Sequence, residues 1–241
     1  MPQTMNAFGQ PIGQALPDWR PPIHPTREAM TGRYCKLVPV NLEEHASDLF
    51  AANQSHSNDA MWTYLPQGPF ASLDEYKMWM QTTCFSNDPL FFTIMNTESG
   101  KPVGLAAYLR ITPAVGSIEV GHLAYSPLLQ RTPAATEAMF LMMQRAFALG
   151  YRRYEWKCDS LNAPSRAAAQ RLGFSYEGIF RQASVYKGRT RDTAWYSIID
   201  SEWPALKRAF EVWLDAGNFD ANGQQRVRLS DLTRPILKAV G

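Results

Sequence analysis

The sequence predicts one α/β domain, a mixed and mostly antiparallel sheet of about seven strands with helices on both faces. Three observations carry this. Strand-like runs at 90–95, 103–111 and 117–125 are joined by short turns, which favours an antiparallel meander. A helical stretch at 133–149 then separates that meander from another strand-like run at 153–159, and a strand–helix–strand unit requires a parallel pairing. Two further capped helices precede the meander, so helical segments stand on either side of it in the chain.

In chain order, residues 1–31 come first, rich in Pro, Gly and Gln, with Pro17, Pro21, Pro22 and Pro25 crowded together. They read either as an extended arm, anchored by Trp19 and Ile23 on the domain or on a partner, or as disorder. Residues 33–40 alternate as a first strand. Asn41 with Glu44, and Ser72 with Glu75, have the spacing of capping boxes and open two helices, the first running to about Asn53. The aromatics between those helices (residues 55–70) have no obvious place in a core.

After the meander, Thr132 is placed to cap a helix that begins at Pro133, since proline suits the first helical position. Ala135, Met139, Met142, Met143 and Ala146 recur at helical spacing and mark its buried face, and Gly150 stands where it stops. Asn162 caps a short helix closed by Gly173. Strands follow at 174–180, 183–187 and 193–199, the last two joined by a basic loop, KGRTRD. An amphipathic helix starts near Trp203, and the tail after Asn218 is weakly patterned. The expected division is an arm (1–31), one domain (32–218) and a C-terminal extension (219–241).

Composition narrows the function. A charged share of 19% and net charge of +2 give no case for nucleic acid or an anionic membrane. No apolar run is long enough to cross a bilayer, and residues 1–14 lack the pattern of a secretory signal. Three widely spaced cysteines fit a reducing cytoplasm better than a disulfide framework. The four histidines have no metal-ligand spacing with one another or with the cysteines, so no metal is expected.

The element order, the turn before Pro133, and the run NxxSxxxxxxLGFxxEGxxR that starts at Asn162 resemble the GCN5-related N-acetyltransferase (GNAT) superfamily over residues 32–200. The Asn162 run is similar to the branch that acetylates the N-termini of ribosomal proteins (RimJ/RimL-like). The resemblance implies the GNAT fold and acetyl-CoA as co-substrate. It also implies transfer of an acetyl group to a primary amine, on a protein N-terminus or a small molecule, by direct attack on the thioester.

It also assigns residues. The pyrophosphate loop would be Gln130, Arg131, Thr132, Pro133, Ala134 and Ala135, with Thr136 following. Proline stands there at the family's central glycine and removes one N–H from the anion nest; Arg131 or the Thr132 hydroxyl would compensate. A bulge in the fourth main strand, Gly121 to Ala124, would aim the Leu123 N–H at the thioester carbonyl; a plain strand with a glycine for close packing is the other reading. Glu119 is the candidate base, with Glu177 behind it, although a glutamate in ion pairs reads equally well. His122 reads as a satisfied core or rim histidine. Asn162 would hold the pantetheine arm, and Ser165 would protonate the leaving thiolate or merely start its helix. His56, Trp62, Tyr64 and Phe70 would line the acceptor pocket. The KGRTRD loop, with Lys187, Arg189 and Arg191, reads as a solvated turn or a contact to an anionic group, and Cys158 as packing.

A catalytically silent acyl-CoA-binding module is the rival reading, and Pro133 is the feature that favours it. A nucleotide hydrolase is set aside because the chain has no G-K-S/T and no Gly-rich fingerprint. A homodimer is compatible with the arm and the tail.

Overall fold

The computed structural model describes residues 4–55 and 59–241. Its main sheet has eight strands in the order β3(Met30–Thr31), β4(Cys35–Pro39), β5(Leu90–Asn96), β6(Pro102–Thr112), β7(Ser117–Tyr125), β8(Arg153–Asp159), β10(Arg189–Ile199), β9(Ser175–Tyr186). All neighbours are antiparallel except β7 and β8. The mixed sheet with helices on both faces is therefore present, with one short strand beyond the expected seven. A separate two-stranded hairpin, β1(Thr4–Met5) and β2(Pro11–Ile12), lies within the N-terminal arm.

Helices α1(Leu42–Asn53) and α2(Leu73–Thr83) cover one face of β5 and β6, where Leu49, Tyr76, Met80, Phe91 and Leu105 form a closed core. Each cap acts locally. Asn41 Oδ1 accepts from the Glu43 and Glu44 N–H groups, and Ser72 Oγ accepts from Glu75 N. Glu75 returns its carboxylate to Ala71 N rather than to the cap residue.

The opposite face packs on α3(Pro133–Ala148) and α5(Trp203–Leu214), with Phe140 stacked on Phe210 and Phe147 on Trp203 at centroid distances of 5.4 and 5.0 Å. The predicted stripe of α3 is buried at Met139, Met142, Met143 and Ala146, and half-buried at Ala135. Glu137 turns inward as well. Its carboxylate accepts from the backbone N–H groups of Arg33, Tyr34 and Cys35 at 2.6–2.8 Å and so fixes the start of β4 on α3.

Two expectations are corrected. The strands at 174–180 and 183–187 are one strand, β9, and the segment expected as the KGRTRD loop is mostly strand. Lys187 (φ 48°) and Gly188 (φ 70°) make a two-residue turn, and Arg189, Thr190 and Arg191 already pair with β9. In the arm, Pro22 and Pro25 are buried and Trp19 is half-buried with Arg152 over its ring, while the Ile23 side chain is 67% exposed. Polar ties add to this: Tyr151 Oη donates to Ile23 O, and Arg145 binds Glu28.

The tail folds back onto α4(Ala163–Arg171) and β9. A short helix, α6(Leu229–Thr233), buries Leu229, and Lys238 N donates to Ser175 Oγ. Among the described residues, no helix is long and apolar enough to cross a membrane.

Candidate active site

β7 and β8 pair in parallel through four positions, from Ser117↔Arg153 to Val120↔Trp156. Beyond that point their ladders diverge: β7 continues with β6 to Tyr125, and β8 continues with β10 to Asp159. The result is a wedge between the carboxyl ends of two parallel strands, the place where open α/β sheets bind ligands. A helix follows each strand, so the N-termini of α3 and α4 both open at this end of the sheet.

The bulge expected on β7 lies just past the last shared pair. Ala107 pairs with Gly121 and Leu105 with Ala124, so His122 and Leu123 stand opposite Ala106 alone. His122 takes a left-handed φ of 49°, a strained conformation for a histidine. An added Cβ at Gly121 would come 2.9 Å from Leu109 Cδ2 and 3.8 Å from Glu119 Oε1, so the glycine leaves the room in which the Glu119 carboxylate and the bulge meet.

The loop into α3 is tightly tied. Gln130 Nε2 donates to Tyr125 O, the Leu129 and Gln130 N–H groups both donate to Ser126 O, and Arg131 supplies the left-handed residue with φ 61°. A helix start leaves four N–H positions without intrahelical partners. Here Thr132 N donates to Leu129 O, Pro133 has no N–H, and Ala135 N donates to Thr132 Oγ1. Among the described residues, the Ala134 N–H is the one donor of the four left without a partner. Arg131 is exposed and makes no ion pair among the described residues. Thr136 is buried, and its hydroxyl accepts from Arg171 Nη1 at 3.0 Å.

On α4, Asn162 Oδ1 accepts from Ser165 N at 3.1 Å. The Ser165 hydroxyl accepts the indole N–H of Trp156 at 3.0 Å, and the Cys158 thiol lies beside it. Burial pushes the Cys158 thiol up and keeps it protonated, although Ser165 and Arg191 pull the other way. Trp156 and Cys158 share one face of β8, so this contact was written in the alternation RYEWKCD, but Trp156 reads as packing until Ser165 is placed against it.

The opposite face of β8 carries a chain of charges. Arg110 Nη1 is 2.7 Å from Glu119 Oε1, and Lys157 Nζ is 2.8 Å from both Glu119 Oε2 and Glu155 Oε2. The approach of Lys157 to Glu119 is a charge contact without hydrogen-bond geometry. Arg153 joins Glu155 to Glu177. Burial raises the Glu119 pKa against the pull of Lys157 and Arg110, whereas the hydrogen bonds from Arg153 lower that of Glu177. The His122 ring lies 5.2 Å from that of Phe91 and has no hydrogen-bond partner among the described residues. Burial, then Arg110, lowers its pKa, so the imidazole is neutral at pH 7. It is half-buried, at the rim that the sequence allowed for it, without a protein partner among the described residues.

The aromatics expected around the acceptor divide. Trp62 is 4% exposed and packs edge-on against Phe70, which in turn contacts Tyr76 and Trp79, so both belong to the core under α1 and α2. Tyr64 faces outward and donates to Leu161 O at the entrance of α4. His56 lies outside the described residues. Lys187 is not solvated as expected: Nζ donates to Trp62 O at 2.7 Å and Gln67 O at 3.2 Å, fastening the β9–β10 tip onto the 60–68 loop.

A groove of about 890 Å³ lies elsewhere, along β4 and the start of α1, and contains none of the predicted site residues. Among the described residues, no group of three or more His, Cys, Asp or Glu gathers for a metal.

The comparisons identify the family and the fold. A family model described as an acetyltransferase (GNAT) domain matches residues 36–175. The crystal structure of a GCN5-related N-acetyltransferase from Brucella melitensis is 49% identical, covers 91% of this chain and 100% of its own, and superposes with a TM-score of 0.89. A probable GNAT-family acetyltransferase from Chromobacterium violaceum is 40% identical over 81% of this chain and 98% of its own, with a TM-score of 0.76. The microcin C7 self-immunity acetyltransferase MccE, solved with acetyl-CoA and AMP, shares the fold at 20% identity over 70% of this chain and 93% of its own, with a TM-score of 0.61. No curated protein matches the chain.

Proposed function

The chain belongs to the GNAT acetyltransferase family, and from that premise we propose that it is an acetyl-CoA-dependent N-acetyltransferase. The acceptor is a primary amine, on a protein N-terminus or a small molecule, and it attacks the thioester directly. The observation that carries this reading is the wedge past Val120↔Trp156, where the β7 bulge and the starts of α3 and α4 converge. The residues present fit acetyl-CoA. The Ala134 N–H and the Arg131 guanidinium are unspent donors at a helix N-terminus, where pyrophosphate is favoured. Asn162 stands across the wedge for the pantetheine amides.

Three tasks follow from the chemistry. Negative charge forming on the thioester oxygen needs a fixed donor, and the Leu123 N–H in the bulge has that role. The leaving thiolate needs a proton, which Ser165 Oγ supplies; the Trp156 N–H occupies a lone pair of that oxygen, and its hydrogen, which bonds to the neighbouring Cys158 sulfur, turns to the thiolate. The amine must lose a proton. Glu119 holds cations at both oxygens, so taking a proton there would break two ion pairs, and its task is to hold Arg110 and Lys157 in place. The neutral, unpartnered His122 is the better proton acceptor. The run from Asn162 to Arg181 supports the ribosomal-protein N-terminal branch, and with it a cytoplasmic enzyme.

The silent-binder reading retains one specific support, the single Ala134 donor left at the start of α3 by Pro133 and by local bonds. Incubating the protein with acetyl-CoA and a panel of amines, and following free thiol, separates the two. Thiol release that depends on an amine is expected; acetyl-CoA binding with no release on any acceptor would overturn the enzymatic reading.

A further inference from the structure

Arg191 is a half-buried cation to which no carboxylate is paired among the described residues. It lies on the face of the sheet that carries Asp159, Lys157 and Trp195, since Thr193 pairs with Asp159 and Trp195 with Lys157. The other cations of the charge chain are matched there, Arg110 and Lys157 with Glu119, Lys157 and Arg153 with Glu155, and Arg153 with Glu177. Arg191 has neither an ion pair nor a hydrogen bond among the described residues. Its Nε is closed off from solvent without a partner, and so is the indole N–H of Trp195 on the same strand. Buried donors of this kind call for an explanation.

The surroundings are built around it. The Arg191 guanidinium lies 5.7 Å over the Tyr186 ring. Tyr186 Oη donates to Asp159 Oδ2, Asp159 Oδ1 accepts from Leu161 N, and Leu161 O accepts from Tyr64 Oη. Lys187 closes the circuit onto Trp62 O and Gln67 O. Three segments, the 60–68 loop, the β9–β10 tip and the β8–α4 loop, are thus fastened into one rim. That rim leads directly into Asn162 and Ser165. An arginine pre-positioned on an aromatic ring, with its fork free, is suited to a carboxylate.

Resting on the acetyltransferase reading, we propose that this rim is the acceptor subsite and that Arg191 binds a carboxylate of the substrate. The acceptor is then an amine that carries an acidic group. Two sources supply that chemistry, a free amino acid and a peptide N-terminus followed by an acidic residue.

Matched acceptors test this: glycine against glycinamide, and a Ser-Glu peptide against its Ser-Gln counterpart, each with acetyl-CoA and a free-thiol readout. In at least one pair the acidic member is expected to have the higher kcat/KM by about 10- to 100-fold, the range of a charge-assisted bond. Which pair responds identifies the source. Arg191→Gln should bring the acidic member down to its neutral counterpart, and Arg191→Lys, which keeps the charge over Tyr186, should retain part of the preference. Equal rates within both pairs, or a preference that survives Arg191→Gln, overturn this proposal alone. Silence on every acceptor overturns the acetyltransferase reading, and this proposal falls with it.

Discussion

Glu119 and Glu155 are direct partners across the parallel β7–β8 ladder, and Lys157 Nζ lies 2.8 Å from a carboxylate oxygen of each. Two buried like charges side by side repel unless a cation is shared between them. Lys157 is that cation, itself 8% exposed and 3.8 Å over the Trp195 ring. Lys157→Met should cost about 3–5 kcal/mol, as breaking a buried pair does, lowering Tm by roughly 6–20 °C for a chain of this size. The deficit should shrink in acid. Burial raises the Glu155 pKa, but hydrogen bonds from Lys157 and Arg153 outweigh it and lower it overall. Its stabilisation is therefore complete above the ordinary carboxylate pKa of 4.5 and fades as pH falls below it. Thermal unfolding of both proteins at pH 7 and pH 4 checks this; a constant difference would refute the shared-cation account.

Ser165 and Trp156 give a second prediction. Ser165→Ala removes the proposed acid and should lower kcat by about 100-fold or more; the Asn162 cap survives because it bonds to the Ser165 backbone, but the Trp156 N–H loses its partner, so stability should fall by about 1–3 kcal/mol. Trp156→Phe keeps an aromatic ring in the core but removes the N–H that orients the hydroxyl, along with part of the ring volume, so a loss of about 2- to 10-fold in kcat and a lower Tm are expected. Thiol-release kinetics on both variants test this, and an unchanged rate in Ser165→Ala removes it from the mechanism.

At the start of α3, Pro133→Gly restores a backbone N–H to the pyrophosphate nest. One bond to a charged phosphate should lower KM for acetyl-CoA by about 10-fold, at the expense of helix stability, because proline is preorganised for this position. Arg131→Ala should move KM the other way. If neither variant changes KM, the diphosphate does not bind at this loop.

These sites were unequally legible in the sequence. The four caps, Asn41, Ser72, Thr132 and Asn162, were readable because capping is decided within three residues, and each cap oxygen accepts as expected, but neither glutamate completes its box: the Asn41 N–H donates to His45 Nδ1 and Glu75 accepts from Ala71 N. The bounds of β7 and β8 were readable from alternation. The β9–β10 hairpin was not, because Arg189, Arg191 and Asp192 look like loop residues while the turn depends on positive φ at Lys187 and Gly188. Trp62 and Phe70 read as pocket lining from the family resemblance, and their core packing, Trp62 on Phe70 and Phe70 on Tyr76 and Trp79, depends on a helix whose packing the pattern does not specify. Glu137 carries no local signal of its role, because only the tertiary fold brings it to three backbone donors. Lys157 needed the β7–β8 register before its role could be seen.

His122 gives the last prediction, in which pH is the variable. The charged group that acts on it is Arg110 from β6, whose guanidinium is paired with Glu119 of β7, and its ring neighbour is Phe91 from β5. Burial and Arg110 lower its pKa below 6.5, so the base is in its working, neutral form at pH 7 and is lost only as pH falls through that lowered value. The acid limb of kcat/KM should therefore lie below pH 6.5, separate from the limb near 8 set by an α-amino acceptor. The same shift affects folding. The native state binds this proton less readily than the unfolded chain, so its contribution is present above 6.5 and declines as pH drops below it. His122→Gln should lower kcat by about 100-fold or more, abolish the acid limb, and leave the limb near 8 in place. A variant that keeps the wild-type acid limb would return the proton to Glu119 or to solvent.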